Sequence, residues 1–157
     1  TILPITYSSL SATHIDFEHD SGMDSILSFG HTNNFTLAYL EKNVISVSSQ
    51  IDKLENFNEI EEMDHIVNQV MGHLQLKNIT LLRDYNNYSV VSNYLRRFAD
   101  VEKINHLFSH MSSCMFDNQK IGQKGIGVIY DSVSYGPAGN IQGSEILYGE
   151  IGNLDVV

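Results

Sequence analysis

The chain has 157 residues, nine Lys+Arg against nineteen Asp+Glu, and a formal net charge of −10. A hydrophobic share of 42% excludes wholesale disorder. No apolar run nears the roughly 18 residues of a membrane span, and a single cysteine excludes an internal disulfide framework.

The acidity also argues against a general nucleic-acid binder. The expectation is one domain over residues 1–157, able to bury about 70% of its unfolded surface. The lone Cys114, with no basic-then-apolar leader in residues 1–30, favours a reducing cytoplasm over secretion. Three glycosylation sequons, at Asn34, Asn78 and Asn87, are expected by chance in a chain rich in Asn and Ser.

In chain order, residues 13–19 alternate. Thr13, Ile15, Phe17 and His19 fall on one side and His14, Asp16 and Glu18 on the other, the period of a half-buried strand. Phe35–Leu40 and Val44–Ser48 flank the polar Glu41-Lys42-Asn43 and predict a hairpin. Residues 35–57 resemble the opening of a PAS-type sensor, a hairpin whose second strand runs into a helix. The long helical pattern at 59–76 departs from the usual PAS continuation, and the chain is not assigned to that family.

Asn58 with Glu61 has capping-box spacing. Ile60, Met63, Val67, Val70, Met71 and Leu74 then repeat at helical intervals. Ile79–Leu82 predicts a short strand. Tyr88, Val91, Leu95 and Phe98 predict a second helix, and Val101, Ile104, Leu107, Phe108 and Met111 a third. Gly125–Tyr130 and Glu145–Glu150 predict strands, with the turn region Tyr135–Asn140 between them. The order of strands, helices and strands predicts an α+β fold. Its N- and C-terminal strands would form an antiparallel sheet with two or three central helices packed on one face.

Candidate chemistry is sparse. His14, Asp16 and Glu18, with the neighbouring His19, offer imidazole and carboxylate ligands for zinc, manganese or iron. Such a set would activate water in a metal-dependent hydrolase; the plainer reading is an acidic strand face in solvent. Glu102, His106 and His110 stand four residues apart, opposite the apolar arc of the expected third helix. That arrangement favours a solvated face over a buried metal.

Cys114 falls near a helix C-terminus, where the dipole disfavours a thiolate. Ser21-Gly22-Met23-Asp24-Ser25 resembles the SGGxDS loop of ATP pyrophosphatases but lacks the paired glycines, so it reads as a turn. Gly122–Gly127 leads into a strand and not a helix, unlike a nucleotide loop. Arg96 and Arg97 form the only basic doublet, among Tyr85, Tyr88 and Tyr94, and read as a solvated helix face.

With no motif complete, the favoured expectation is a non-catalytic regulatory domain. It would sense a small apolar ligand or bind a protein partner, a basic one suiting the acidic strands around Asp16 to Asp24. Tyr88, Tyr94, Phe98, Phe108 and Met111 are its candidate pocket. The alternatives are a metal-dependent hydrolase built on His14, Asp16 and His19, and a structural subunit whose Gly-rich C-terminal strands pair with neighbours, as in a homo-oligomer. No cofactor is indicated by the sequence, and no nucleic-acid or membrane partner is expected.

Overall fold

The hairpin expected after residue 35 forms the middle of the larger sheet. In the computed structural model, residues 13–16, 25–41, 44–48, 50–55, 57–73 and 79–157 are described, those at 13–16, 52–53 and 73 by their backbone alone. The chain divides into two compact units, residues 1–83 with 88–102, and residues 84–87 with 103–157.

The first unit holds β1 (Thr13–Asp16), β2 (Ser25–Phe29), β3 (Asn33–Phe35), β4 (Leu37–Glu41), β5 (Val44–Val47) and β6 (Ile51–Lys53). They are followed by α1 (Phe57–His73), β7 (Ile79–Asp84), α2 (Val90–Leu95) and β8 (Val101–Ile104), the ends of β7 and β8 passing into the second unit. The main sheet has the order β1-β5-β4-β2-β7-β8, and β3 pairs with β6 separately.

β4 and β5 pair antiparallel, with Leu40 opposite Ile45, as the two runs flanking Glu41-Lys42-Asn43 predicted. β2 and β7 pair parallel, with Leu27 opposite Leu81. The sheet is therefore mixed and not wholly antiparallel. Parallel neighbours need a long crossover, and α1 lies in the segment between these two strands.

α1 begins at Phe57, so Asn58 lies inside the helix and is not its cap. The reciprocal contact comes instead from Glu59, whose Oε2 accepts the Glu55 N–H at 2.8 Å. Met63, Ile66, Val67 and Val70 form its buried stripe, at the three- and four-residue steps that put side chains on one helix face. They share a core with Leu27, Phe29, Phe35, Leu37, Leu81, Val91 and Leu95. Ser89 caps α2, its Oγ accepting from the Ser92 N–H.

The expected third helix starts later than its periodicity suggested. Residues 101–104 are strand β8, and Asn105 ends it. The Asn105 carboxamide oxygen then caps α3 (His106–Asp117), accepting from the Leu107 and Phe108 N–H groups. Capping side chains compete with the extended ladder, and this separates strand from helix within one continuous apolar pattern.

The second unit continues with β9 (Gly125–Ile129), β10 (Ser134–Tyr135), β11 (Ile141–Gln142), β12 (Glu145–Glu150) and β13 (Asn153–Val156). Its sheet has the order β13-β12-β9, while β10 and β11 form a small hairpin. Among the described residues, the C-terminal strands thus build a sheet of their own, separate from that of the N-terminal strands. Leu147 and Leu154 from this sheet and Leu107, Met111 and Met115 from α3 form a core of their own. α3 ends with Gln119 in the left-handed region, at φ 55°. The Gln119 and Lys120 N–H groups close back on Phe116 and Met115, a Schellman motif.

Candidate metal centre

Three side chains of the second unit converge although they are remote in sequence. Leu107, Met111 and Met115 point α3 into the core. His106 and His110 follow the same four-residue step one position earlier, so they sit along the border of the buried stripe. Their rings meet edge to face with centroids 4.6 Å apart, and the two Nε2 atoms are 3.0 Å apart. Asp131 arrives from the turn after β9. Its Oδ2 lies 3.3 Å from His106 Nε2, with the His106 and Asp131 side chains only 25% and 19% exposed.

The geometry leaves a specific deficit. Asp131 Oδ1 accepts the Ser132 N–H at 2.7 Å. Asp131 Oδ2 is buried and has no aligned hydrogen-bond donor despite the nearby imidazole. Ser134 Oγ, at the start of β10, is also buried without a partner. One ligand atom from each of His106, His110 and Asp131 lies within 4.8 Å of the others. Two neutral Nε2 lone pairs and a carboxylate facing one another repel unless a proton or a cation lies between them. Two imidazoles and one carboxylate are a donor set for zinc, manganese or ferrous iron. The residues present therefore fit a divalent ion.

The remaining sequence candidates fall elsewhere. His14 and Asp16 lie in β1, opposite Ser46 and Val44 of β5, where the backbone alone is described. Glu18 and His19, like Ser21–Asp24, lie outside the described residues. Glu102 belongs to β8 and not to the helix of the two histidines. Of the candidate pocket, Tyr88 is exposed, whereas Tyr94 and Phe98 pack against the core of the first unit. Phe108 borders a groove of about 400 Å³ with Ser109 and Leu154. Met111 borders one of about 550 Å³ with Cys114, Met115 and Gly127. Among the described residues, no helix is long and apolar enough to cross a membrane.

Arg97 is not a free basic face. Its guanidinium stacks 3.8 Å from the Tyr94 ring centroid and meets Asp64 Oδ1 at 2.5 Å. Tyr94 donates to the same oxygen at 2.7 Å. The Arg97 and Tyr94 hydrogen bonds hold the Asp64 carboxyl below its ordinary range. Burial, then the bond to Asp64, pushes the Tyr94 hydroxyl well above its ordinary range.

Together these features define an α+β protein whose second unit presents a two-histidine, one-aspartate centre. Residues 21–117 match the family described as the HypF Kae1-like domain. The chain belongs to that family. The match includes His106 and His110 and ends before Asp131.

The fold is similar to a full-length HypF crystal structure in a phosphate- and nucleotide-bound form, with TM-score 0.79 and 21% identity. It is also similar to T. kodakarensis HypF, with TM-score 0.75 and 18% identity. Each likeness covers 92% of this chain and 19% of the HypF chain, so the protein spans about a fifth of those relatives. At these identities the likeness establishes the fold. No curated protein sequence matches the chain.

Family membership corrects the functional expectation. The chain is not placed among non-catalytic sensors or partner-binding regulatory domains; its family and its structural neighbours are HypF proteins. The missed signal was Asp131. It lies 21 residues beyond His110 in sequence and follows a strand and not a helix, so no short spacing rule joins it to the histidine pair.

Proposed function

We propose that this chain is the metal-holding part of a HypF-type enzyme that acts on a phosphate- or nucleotide-bearing substrate. The observation that carries the reading is the convergence of the His106, His110 and Asp131 ligand atoms within 4.8 Å of one another. The unsatisfied Asp131 Oδ2 supports it, because a buried carboxylate oxygen without a donor is costly in the absence of a cation. The full-length HypF described in a phosphate- and nucleotide-bound form supports the substrate class.

A divalent ion at this place would supply positive charge to phosphate oxygens and polarise the bond under attack. The chain's own contribution is to hold the ligands. Leu107 and Met111 anchor the face of α3 from which the histidines project, and the turn after β9 carries Asp131.

The test is calorimetric titration of the metal-free protein with Zn²⁺ or Mn²⁺, followed by ATP. One ion per chain is expected. His106→Ala, His110→Ala and Asp131→Asn should each weaken it by more than the roughly 10–100-fold that outer partners of a metal site are worth. ATP should bind the metal-loaded protein more tightly than the metal-free one. Uptake unchanged in all three variants would refute the assignment of the centre.

A further inference from the structure

We infer that Asn105 is a positioning residue for the metal centre, acting through a hydrogen bond to Gln142; the inference rests on the metal-binding reading above. Asn105 is 9% exposed and stands immediately before His106. Its Oδ1 accepts the Leu107 N–H at 2.9 Å and the Phe108 N–H at 3.3 Å. Its backbone carbonyl accepts the Ser109 hydroxyl at 3.0 Å. Capping alone would be served as well by serine or aspartate. Asparagine adds the amide nitrogen.

The orientation of that amide is fixed by chemistry. Two backbone N–H groups point at one end, so that end must be oxygen. The nitrogen then faces Gln142 and donates to its Oε1 at 3.1 Å. Gln142 lies opposite Ser134 in the β10–β11 hairpin. That hairpin begins three residues after Asp131, the third ligand.

The Gln142 carboxamide oxygen packs over Gly136, where a Cβ would meet it at 3.0 Å and Asn140 Oδ1 at 2.5 Å. The bond therefore ties the first turn of the histidine helix to the loop that follows the aspartate. Metal ligation tolerates only a few tenths of an ångström, so a tie between the two ligand-bearing segments sets affinity as well as stability.

The experiment compares the full chain with Asn105→Ser, Gln142→Glu and the Asn105→Asp/Gln142→Glu pair. Metal affinity is read by Zn²⁺ titration, ligand geometry by the visible spectrum of bound Co²⁺, and folding by thermal melting without metal. Serine keeps the cap and loses the reach. Asn105→Ser is expected to bind Zn²⁺ about tenfold more weakly, with an altered Co²⁺ spectrum, beyond any change in melting. Gln142→Glu retains an oxygen for the Asn105 amide and should match the parent in both readouts. The double variant opposes two carboxylates and should lose affinity again.

If the parent binds one Zn²⁺ and Asn105→Ser binds it equally well with the same spectrum, Asn105 is a cap only and the inference is wrong. A parent that takes up no ion refutes the metal reading itself and the inference with it.

Discussion

Gly127 is where packing next to the candidate centre can be tested by adding one methyl group. A Cβ at this position would lie 2.7 Å from Met111 Sδ and 3.1 Å from Met111 Cγ. Met111 is 3% exposed, so its side chain has little room to withdraw. Overpacking a buried site costs about 1–3 kcal/mol. Replacing a strand glycine by alanine returns about 0.5–1 kcal/mol of backbone entropy. Gly127→Ala is therefore expected to destabilise, by up to about 2.5 kcal/mol, the difference of these opposing terms.

Met111→Ala opens a cavity on the other side of the same contact and should cost about 2–5 kcal/mol. In the double variant the new methyl occupies part of that cavity. The pair should be more stable than additivity predicts, by about 1 kcal/mol or more. Urea titrations followed by circular dichroism measure all four corners of this cycle. A stabilising Gly127→Ala, or strictly additive effects, would refute the claim that Met111 is seated against the Gly127 backbone.

Other outcomes follow from separate parts of the structure. Leu147→Ala, at a fully buried position of β12, should lower stability by about 2–5 kcal/mol in the same titrations. Zn²⁺ at about a hundred times its dissociation constant should stabilise the native protein by about 2.7 kcal/mol; excess chelator should reverse the rise in melting temperature, and His106→Ala should show none. Asp64→Asn should cost no more than about 1 kcal/mol, because the Arg97 and Asp64 side chains are 47% and 38% exposed and the pair is screened.

The same groups set the edges of the pH profile. With its pKa held below the ordinary value, Asp64 contributes stability above about pH 4, the unfolded range, and loses it as pH falls through the depressed folded value. Asp64→Asn should flatten that acid edge. Tyr94 has the opposite sign. Its pKa is raised, so its contribution is present below about pH 10, where unfolded tyrosine ionises, and is lost above it. Tyr94→Phe should reduce the alkaline loss seen in pH-dependent melting, and an unchanged edge would count against this assignment.

Much of the local structure was legible because its signals are local. The β-prone runs of β4 and β5 about a polar turn, the buried stripe of α1 and the Glu145–Glu150 strand each declare themselves within a few residues. Val101 to Met111 misled because Val101 and Ile104 also fit a helical step, while a single capping side chain at Asn105 decides where extended chain ends. β13 was missed because Asn153–Val156 contains only two strongly apolar residues, and pairing with β12 supplies what its own pattern lacks. The parallel β2–β7 pair was equally hidden, since strand direction depends on the crossover between them.

The candidate site divides the same way. The sequence by itself determined an acidic α+β chain and two histidines one turn apart on a helix, because composition and periodicity act over short distances. It could not bring Asp131 to them. Only the packing of α3 on the β9–β12–β13 sheet, around Leu107, Met111 and Leu147, sets the carboxylate 3.3 Å from His106. Tertiary structure turned an apparently solvated helix edge into a set of converging ligands, because the third donor comes from a turn that lies beside the helix in space and not in sequence.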